Sequence, residues 1–178
     1  MASQTPEEIL VEARKLIGSE SAPVPSRYPV EYDSIRRYCH MTGDDNPLYL
    51  DPEYAATTKY GAVIAPPFFI RNMSGPGPWP KQRQGQEGRL PPVPTAGKRT
   101  INLTTEVELF EPVKVGDRIT RFERIADIYI KAIRLDPKAF WTVTETIYHN
   151  QAGTTVMVQR NIGLRHRSPE EVKAAGDA

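Results

Sequence analysis

Cysteine is nearly absent from this chain, which has one thiol, Cys39, among 178 residues. A single thiol cannot form a disulfide within the chain, so nothing in the sequence indicates an oxidising compartment. His40 is the adjacent base, but consecutive side chains on a helix point about 100° apart and do not face each other. We therefore interpret Cys39 as a buried structural thiol rather than a nucleophile.

Long apolar runs and an excess of one charge are also missing. No segment approaches the roughly 20 apolar residues of a membrane span. The first twelve residues carry acidic side chains and no apolar core, so we expect no signal peptide. The formal net charge is +1, which gives no electrostatic reason to expect nucleic acid or an anionic membrane as a partner. We expect a cytoplasmic protein with no nucleic-acid or membrane partner.

Recognisable cofactor motifs are a third absence. His149 and His166 lie at or after the ends of predicted strands and lack the spacing of metal ligands. The sequence has no glycine-rich phosphate loop and no dinucleotide fingerprint. We therefore predict no metal and no resident cofactor.

Proline, in contrast, is abundant, and most of the 17 prolines lie in the first hundred residues. They divide that half into short helices and loops. Thr5-Pro6-Glu7-Glu8 is a capping box with proline at the first helical position, and it predicts a helix that Gly18 ends. Residues 19–29 are interrupted by prolines and are expected to be irregular.

Short apolar periods predict the next helices. Asp33 or Ser34 is expected to cap a second helix, which Gly43 closes. A cap followed by proline at residues 51–53 predicts another short helix. Residues 62–73 are apolar and lead into a helix that we expect to be buried, because Phe68, Phe69, Ile70 and Met73 leave it little polar face. Residues 74–97 form a long loop rich in Gly, Pro and Gln.

The second half has the two-residue period of β-structure. Alternation from Ile101 to Leu109 predicts a half-buried strand. Three further strands are predicted at residues 118–131, 140–149 and 154–165, with a hairpin turn between the last two. Ser168 is expected to cap a short final helix. The order of elements predicts an α+β fold in which antiparallel strands wrap one apolar helix. We expect a single domain over residues 1–178, with an N-terminal helix and linker at 1–28 and a C-terminal helix and tail at 168–178.

Three segments carry a family resemblance. Residues 42–49 read TGDDNPLY and resemble the motif of MaoC-like hydratases and dehydratases, which runs Gly-Asp-x-Asn-Pro, an aliphatic residue, then His. Residues 60–66, YGAVIAP, are similar to the segment that enters the central helix of this family. Residues 111–117, EPVKVGD, are similar to the turn between its long strands. The ordered set covers about residues 32–165.

The resemblance implies a single hot-dog fold, with about five antiparallel strands around a buried central helix and extra helices at the N-terminus. It implies a dimer through the sheet that binds acyl thioesters of coenzyme A or acyl carrier protein, the carrier being part of the substrate. It further implies reversible syn addition of water to a trans-2-enoyl thioester. In that reaction the motif Asp and His activate the water, and a backbone N–H at the start of the central helix stabilises the enolate.

This sequence departs from the family motif at the position of the histidine. Asp44 and Asn46 match the motif, but Tyr49 stands where the family has His. A phenol has an ordinary pKa near 10 and is a poor general base at neutral pH.

A second departure lies before the central helix, where Pro66-Pro67 replaces the family's His-Gly. Pro67 has no N–H, so Phe68 or Phe69 would have to supply the oxyanion donor. With both departures, the sequence resembles the subgroup that has an N-terminal MaoC-type or FAS1-like dehydratase domain. In that subgroup a hot-dog domain with a degenerate site pairs with a hot-dog domain whose site is complete. We expect either a heteromer with a catalytic MaoC-like subunit or a homodimer with an altered site.

The candidate residues fall into three groups, each with a structural alternative. As the structural alternative to catalysis, Asp44 to Tyr49 would be only a helix-ending turn. As the alternative to substrate binding, Arg71 would reach solvent from a helix end. As the alternative to phosphate binding, the basic residues in and after the loop at 74–97 would be solvated. The predicted catalytic residues are Asp44, Asn46 and Tyr49. The predicted substrate-binding residues are Pro67, Phe68, Phe69, Arg71 and Asn72. The predicted phosphate-binding residues are Lys81, Arg83, Arg89, Lys98 and Arg99.

Two further functions remain open beside the hydratase/dehydratase subunit. One is an acyl-thioester-binding or scaffolding subunit without turnover. The other is a hot-dog thioesterase, which residues 65–73 disfavour because they contain no Asp or Glu to act as base or nucleophile.

Overall fold

A five-stranded antiparallel sheet forms the body of the protein in the computed structural model, which describes residues 4–73 and 88–177. The strands lie in the order β1-β3-β4-β5-β2. They are β1 Val24–Pro25, β2 Arg99–Leu109, β3 Thr120–Ile130, β4 Phe140–His149 and β5 Thr155–His166. The predicted α+β class, with an antiparallel sheet of about five strands, is confirmed.

Six short helices accompany the sheet in the described residues, and local capping explains most of their starts. They are α1 Pro6–Arg14, α2 Tyr32–Thr42, α3 Pro47–Leu50, α4 Pro52–Thr57, α5 Phe69–Met73 and α6 Pro169–Ala174. Both predicted end caps are capping boxes: Thr5 exchanges hydrogen bonds with Glu8, and Ser168 does so with Glu171. None of the described helices is long and apolar enough to cross a membrane.

The start of α2 differs from the prediction. Its N-cap is Glu31, whose side chain makes no capping hydrogen bond. Asp33 lies inside the first turn instead, where its carboxylate receives hydrogen bonds from Arg36 at 2.6 Å and Arg37 at 2.5 Å. The prediction of Asp33 or Ser34 as the cap was wrong because Asp33 is one residue inside the helix and engages charges one turn further on.

The main hydrophobic cluster joins α2, α4 and α5 to one end of the sheet. Phe69 and Ile70 of α5 are 2% and 3% exposed, and Tyr38 packs edge-on against the Phe69 ring at 5.6 Å between centroids. Each such side chain contributes about 1.5–3 kcal/mol when fully buried. Phe68 is 50% exposed, so only part of the predicted apolar face is in the core. The cluster also contains Ile35, Cys39, Ala55, Tyr148, Val156 and Met157.

Cys39 is fully buried within this cluster. Burial raises the pKa of the Cys39 thiol, and the nearby charge of Asp44 raises it further. The group therefore stays protonated and is a structural thiol, as the sequence indicated.

A second, smaller cluster lies under α1. Ala13 packs against Ile125 and Ile128 of β3. Leu90 and Val93, which lie in the segment before β2, pack against the same cluster. This cluster holds the N-terminal helix on the outer part of the sheet.

The two edges of the sheet differ in how they are covered. Residues 18–26 follow the free side of β3, where the N–H groups of Gly18, Ser21 and Ser26 donate to carbonyls of β3 or the residue before it at 2.6–2.8 Å. This segment was predicted to be irregular, but it extends β1 along the sheet. At the other edge, β2 pairs with β5 alone among the described residues. Its predicted half-burial was wrong because no element within residues 4–73 and 88–177 covers it, and all of its residues except Val107 are exposed.

A buried ionic cluster, the C-terminal clasp, fixes the chain ends to the sheet. Arg167 donates to Asp136 at 2.6 Å and to Asp177 at 2.7 Å, and Lys138 joins Asp177 to Glu7 of α1. Asp136 is 1% exposed. Burial alone would raise the pKa of Asp136, but hydrogen bonds from the side chain and backbone of Arg167 outweigh it and hold that pKa below its ordinary value.

Candidate functional site

An open groove of about 890 Å³ lies between α3 and α4, the entry to α5 and the turn after β2. The entry segment is joined to that turn by a hydrogen bond from Ala65 N–H to the Val113 carbonyl at 2.7 Å and by a bridge between Ile64 and Lys114. The volume lies within the range of small-molecule sites. The groove is lined by Leu48, Tyr49, Lys59, Tyr60, Ile64, Ala65, Pro66, Pro67, Ile70, Leu109, Phe110, Glu111, Pro112, Val113, Lys114, Asp117, Asn150, Thr154 and Val156.

The motif turn is built by short-range hydrogen bonds. Gly43 ends α2 in the left-handed conformation with φ 69°, which a residue without Cβ adopts at little cost. The Asp44 carboxylate then accepts from Asn46 N–H at 3.1 Å, and the Asn46 side chain accepts from Leu48 N–H at 3.0 Å. Asn46 thus caps α3, and α3 places Leu48 and Tyr49 on the groove wall.

The three predicted catalytic residues therefore lie in one turn but in different settings. Tyr49 lines the groove, Asn46 is exposed and its side-chain oxygen serves the helix cap, and Asp44 is half-buried beside the groove wall rather than on it. The turn has the cap geometry of the structural alternative, and it also delivers Tyr49 to the groove.

Tyr49 is held in its neutral form. Burial raises the pKa of the Tyr49 phenol, and the charge of Asp44, then Cys39 and Tyr60, raises it further. With an ordinary value near 10 as the lower bound, fewer than about one phenol in a thousand is ionised at pH 7. Tyr49 can donate or accept a hydrogen bond, but it cannot serve as the general base that imidazole provides.

The entry to α5 offers one of the two backbone donors that were predicted. Phe69 N–H already donates to the Pro66 carbonyl at 3.0 Å, so it is committed. The N–H of Phe68 has no acceptor within residues 4–73 and 88–177, while Pro67 has no N–H at all. Pro66 and Pro67 both line the groove.

The other predicted substrate-binding residues are distributed differently. Phe69 lies in the main hydrophobic cluster, and Phe68 and Arg71 are exposed away from the groove wall. Ile70, which the sequence did not single out for binding, lines the groove instead. The side chain of Asn72 lies outside the described residues.

The predicted phosphate-binding residues do not converge on the groove. Arg89, Lys98 and Arg99 are exposed, and Arg99 begins β2 while Leu109, at the far end of that strand, lines the groove. Eleven residues of strand separate these ends by roughly 30 Å. Lys81 and Arg83 lie outside the described residues.

Most groove residues were not predicted from the sequence, and three of them have polar contacts or rings at the site. Lys59 and Tyr60 follow α4, with the Lys59 ammonium 5.1 Å from the centre of the Tyr60 ring. On the opposite wall, Lys114 N–H donates to the Asp117 carboxylate at 2.8 Å. Tyr60 and Lys114 both lie inside segments that carry the family resemblance, and this was the signal available for finding them.

Comparison with known sequences identifies the family. The model of the FAS1-like dehydratase domain region matches residues 15–159. A probable enoyl-CoA hydratase alpha subunit from Thermomonospora curvata is 32% identical over 146 residues, which are 78% of this chain and 46% of that protein. This chain thus spans less than half of that relative.

Solved structures share the fold at low sequence identity. The ChsH1-ChsH2 complex from Mycobacterium tuberculosis contains a chain with a TM-score of 0.69 at 16% identity, covering 91% of this chain and 96% of that one. A MaoC-like dehydratase from Rhodospirillum rubrum has a TM-score of 0.58 at 19% identity, covering 86% and 94%. With the family match over most of its length, this chain belongs to the FAS1-like dehydratase domain family, and it shares the hot-dog fold of MaoC-like dehydratases.

Proposed function

We propose that this chain is the acyl-thioester-binding half of a heteromeric enoyl-thioester hydratase/dehydratase, and that a second MaoC-like subunit supplies the water-activating Asp and His. The observation that carries the proposal is the neutral Tyr49 phenol on the groove wall, at the position of the family's histidine. Hydration needs a base that takes a proton from water near neutral pH, and the pKa of this phenol is too high for that role.

The substrate side of the proposal rests on the groove. Its wall combines apolar side chains, such as Leu48 and Ile70, with the polar groups of Tyr49, Tyr60 and Asn150. Such a mixture suits an acyl chain joined to a polar thioester head. Coenzyme A and acyl carrier protein both carry such a head.

The partner side rests on the open edge of the sheet. Within the part of the chain that the structure describes, the outer side of β2 has no strand partner along its 11 residues, and Ile101 and Leu103 are 37% and 45% exposed. Such an edge is a template for another strand. Because Leu109 at the end of β2 lines the groove, a subunit paired with β2 would stand beside bound substrate. The relative described as an alpha subunit and the two-protein complex among the structural neighbours support a partner of this kind.

A homodimeric hydratase with an altered site is the second candidate, and the charge pattern of β2 favours it. Arg99 lies at one end of the strand, and Glu106 and Glu108 lie near the other. Antiparallel pairing of two copies would place opposite charges across the interface.

The test is hydration of a short trans-2-enoyl-CoA by the purified chain alone, with its mass in solution measured by light scattering on the same sample. We expect saturable binding of the thioester without loss of the enoyl absorbance. Hydration by a homodimer that Asp44→Asn lowers about a hundredfold, in line with general acid–base effects, would overturn the proposal in favour of the second candidate. Asp45→Asn is the matched control, since Asp45 is the exposed neighbour of Asp44 and does not line the groove.

A further inference from the structure

Two tyrosines share the groove wall from neighbouring elements. Tyr49 lies on α3, and Tyr60 lies in the turn after α4, where its N–H donates to the Thr58 hydroxyl at 3.2 Å. Tyr60 is also among the groups that raise the pKa of Tyr49, so the two side chains interact electrostatically. Both side chains therefore line one groove, brought there by elements that follow each other in the chain.

Both phenol hydroxyls are without a protein acceptor in the part of the chain that the structure describes. Tyr32, a nearby tyrosine with a structural role, behaves differently, because its hydroxyl donates to the Leu50 carbonyl at 2.5 Å and ties α2 to the end of α3. Partly buried tyrosine hydroxyls usually find a partner. Neither Tyr49 nor Tyr60 is fully buried, so both hydroxyls line the open groove with their donors available to a bound ligand.

The electrostatic surroundings select a neutral acceptor. Asp44 acts on Tyr49 strongly enough to raise its pKa, and Glu111 and Asp117 lie on the groove wall. Lys59 and Lys114 on the same wall balance Glu111 and Asp117, so the groove as a whole does not favour an anion. Asp44 would repel a carboxylate placed at Tyr49, whereas a carbonyl oxygen carries only a partial charge. The Lys59 ammonium lies 5.1 Å from the centre of the Tyr60 ring, and its positive charge favours the partial negative charge of a carbonyl oxygen bound near that ring.

We infer that Tyr49 and Tyr60 form a two-phenol donor site that holds the carbonyl oxygen of the acyl thioester. This inference rests on the proposed function, because it assigns the groups that bind the thioester head in that groove. The phenols take the place of the backbone donor that Pro67 removes from the entry to α5. The site positions and polarises the carbonyl without taking a proton from water.

The experiment uses a chromophoric probe, 4-(dimethylamino)cinnamoyl-CoA, whose absorbance moves to longer wavelength when its carbonyl accepts hydrogen bonds. We expect the full-length chain to bind the probe with a red shift. Tyr49→Phe and Tyr60→Phe should each weaken binding about fivefold, the effect of one net hydrogen bond, and reduce the shift. The double variant should bind the probe without a red shift.

Tyr54→Phe is the matched control, since Tyr54 is 48% exposed and lies outside the groove wall. It should leave both the affinity and the shift unchanged, and circular dichroism should show that all variants keep the fold. A red shift retained in the double variant would overturn the two-phenol site while leaving the proposed function in place. Failure of the wild-type chain to bind the probe would overturn both.

Discussion

The two edges of the sheet are treated in opposite ways. Residues 18–26 cover β3 with hydrogen bonds, and Pro23 and Pro25 in that segment limit further pairing beyond it. β2, at the other edge, has no proline, exposes apolar side chains and ends at the groove. The N-terminal segment therefore covers one edge of the sheet. Among the described residues the other edge, which adjoins the candidate site, has no strand partner.

The largest effect on stability is expected at the C-terminal clasp, away from the open edge strand's outer side. Arg167→Ala should lower the free energy of unfolding by about 3–5 kcal/mol, because it leaves the carboxylate of Asp136 buried without its partner. Chemical denaturation at neutral pH measures this loss. Arg165→Ala is the control, since Arg165 is exposed near the end of β5, two residues before Arg167, and should change stability by less than about 0.5 kcal/mol.

The clasp also predicts an acid response. Because the folded-state pKa of Asp136 is below its ordinary value of 3.8, the stability it contributes is present above about pH 4 and is lost as the pH falls through the lower folded value. The wild-type chain should lose this increment in acid, and the Arg167→Ala variant should not. Equal acid sensitivity of the two proteins would contradict the role assigned to the clasp.

On the open edge, the expected effect is on association rather than folding. Leu103→Lys should weaken binding of a partner at β2 by about 30-fold or more, the range of a central interface residue, and leave the unfolding free energy of the chain nearly unchanged. Light scattering across a dilution series measures association, with the copurified partner or a second copy.

Ala22→Lys is the matched control on the closed edge, where an exposed residue receives the same charge. It should leave association unchanged. If Ala22→Lys weakened association as much as Leu103→Lys, the distinction between a closed and an open edge would be lost.

The smallest effect is expected from a single brace of the closed edge. The Ser26 hydroxyl accepts from Ile119 N–H at 3.2 Å and donates to the Tyr28 carbonyl at 2.9 Å. Ser26→Ala leaves a buried N–H without its partner and should cost about 1–2 kcal/mol in thermal or chemical unfolding. Unchanged stability would mean that the backbone ladder alone holds residues 18–26 to β3.

Features set by neighbours in the chain were predicted best. The predicted caps at Thr5, Asp51 and Ser168 depend on residues two or three positions away, so the sequence displays both partners. Asn46 caps α3 in the same local way, but that helix was not predicted. The long strands were placed within two residues of their observed bounds because the two-residue period persists along them. The family match over residues 15–159 confirmed the resemblance carried by three short segments.

Features that join distant residues were missed. Residues 18–26 read as irregular because their hydrogen-bond partners lie about a hundred residues further along the chain. The exposure of β2 does not follow from its alternation, since periodicity shows which side chains share a face but not whether anything covers that face. The clasp between Asp136 and Arg167 joins residues 31 apart and has no local signature.

By itself the sequence determined the family, the four long strands, most of the helices, and the substitution of Tyr49 and Pro67 at the two positions of the family's chemistry, because these are matters of local pattern and residue identity. Only the tertiary structure decided that Tyr49 and Tyr60 line one groove and that this groove lies at the end of β2, an edge strand of the described sheet. Those facts depend on how segments far apart in the chain pack together, and burial and electrostatic neighbours exist only after that packing.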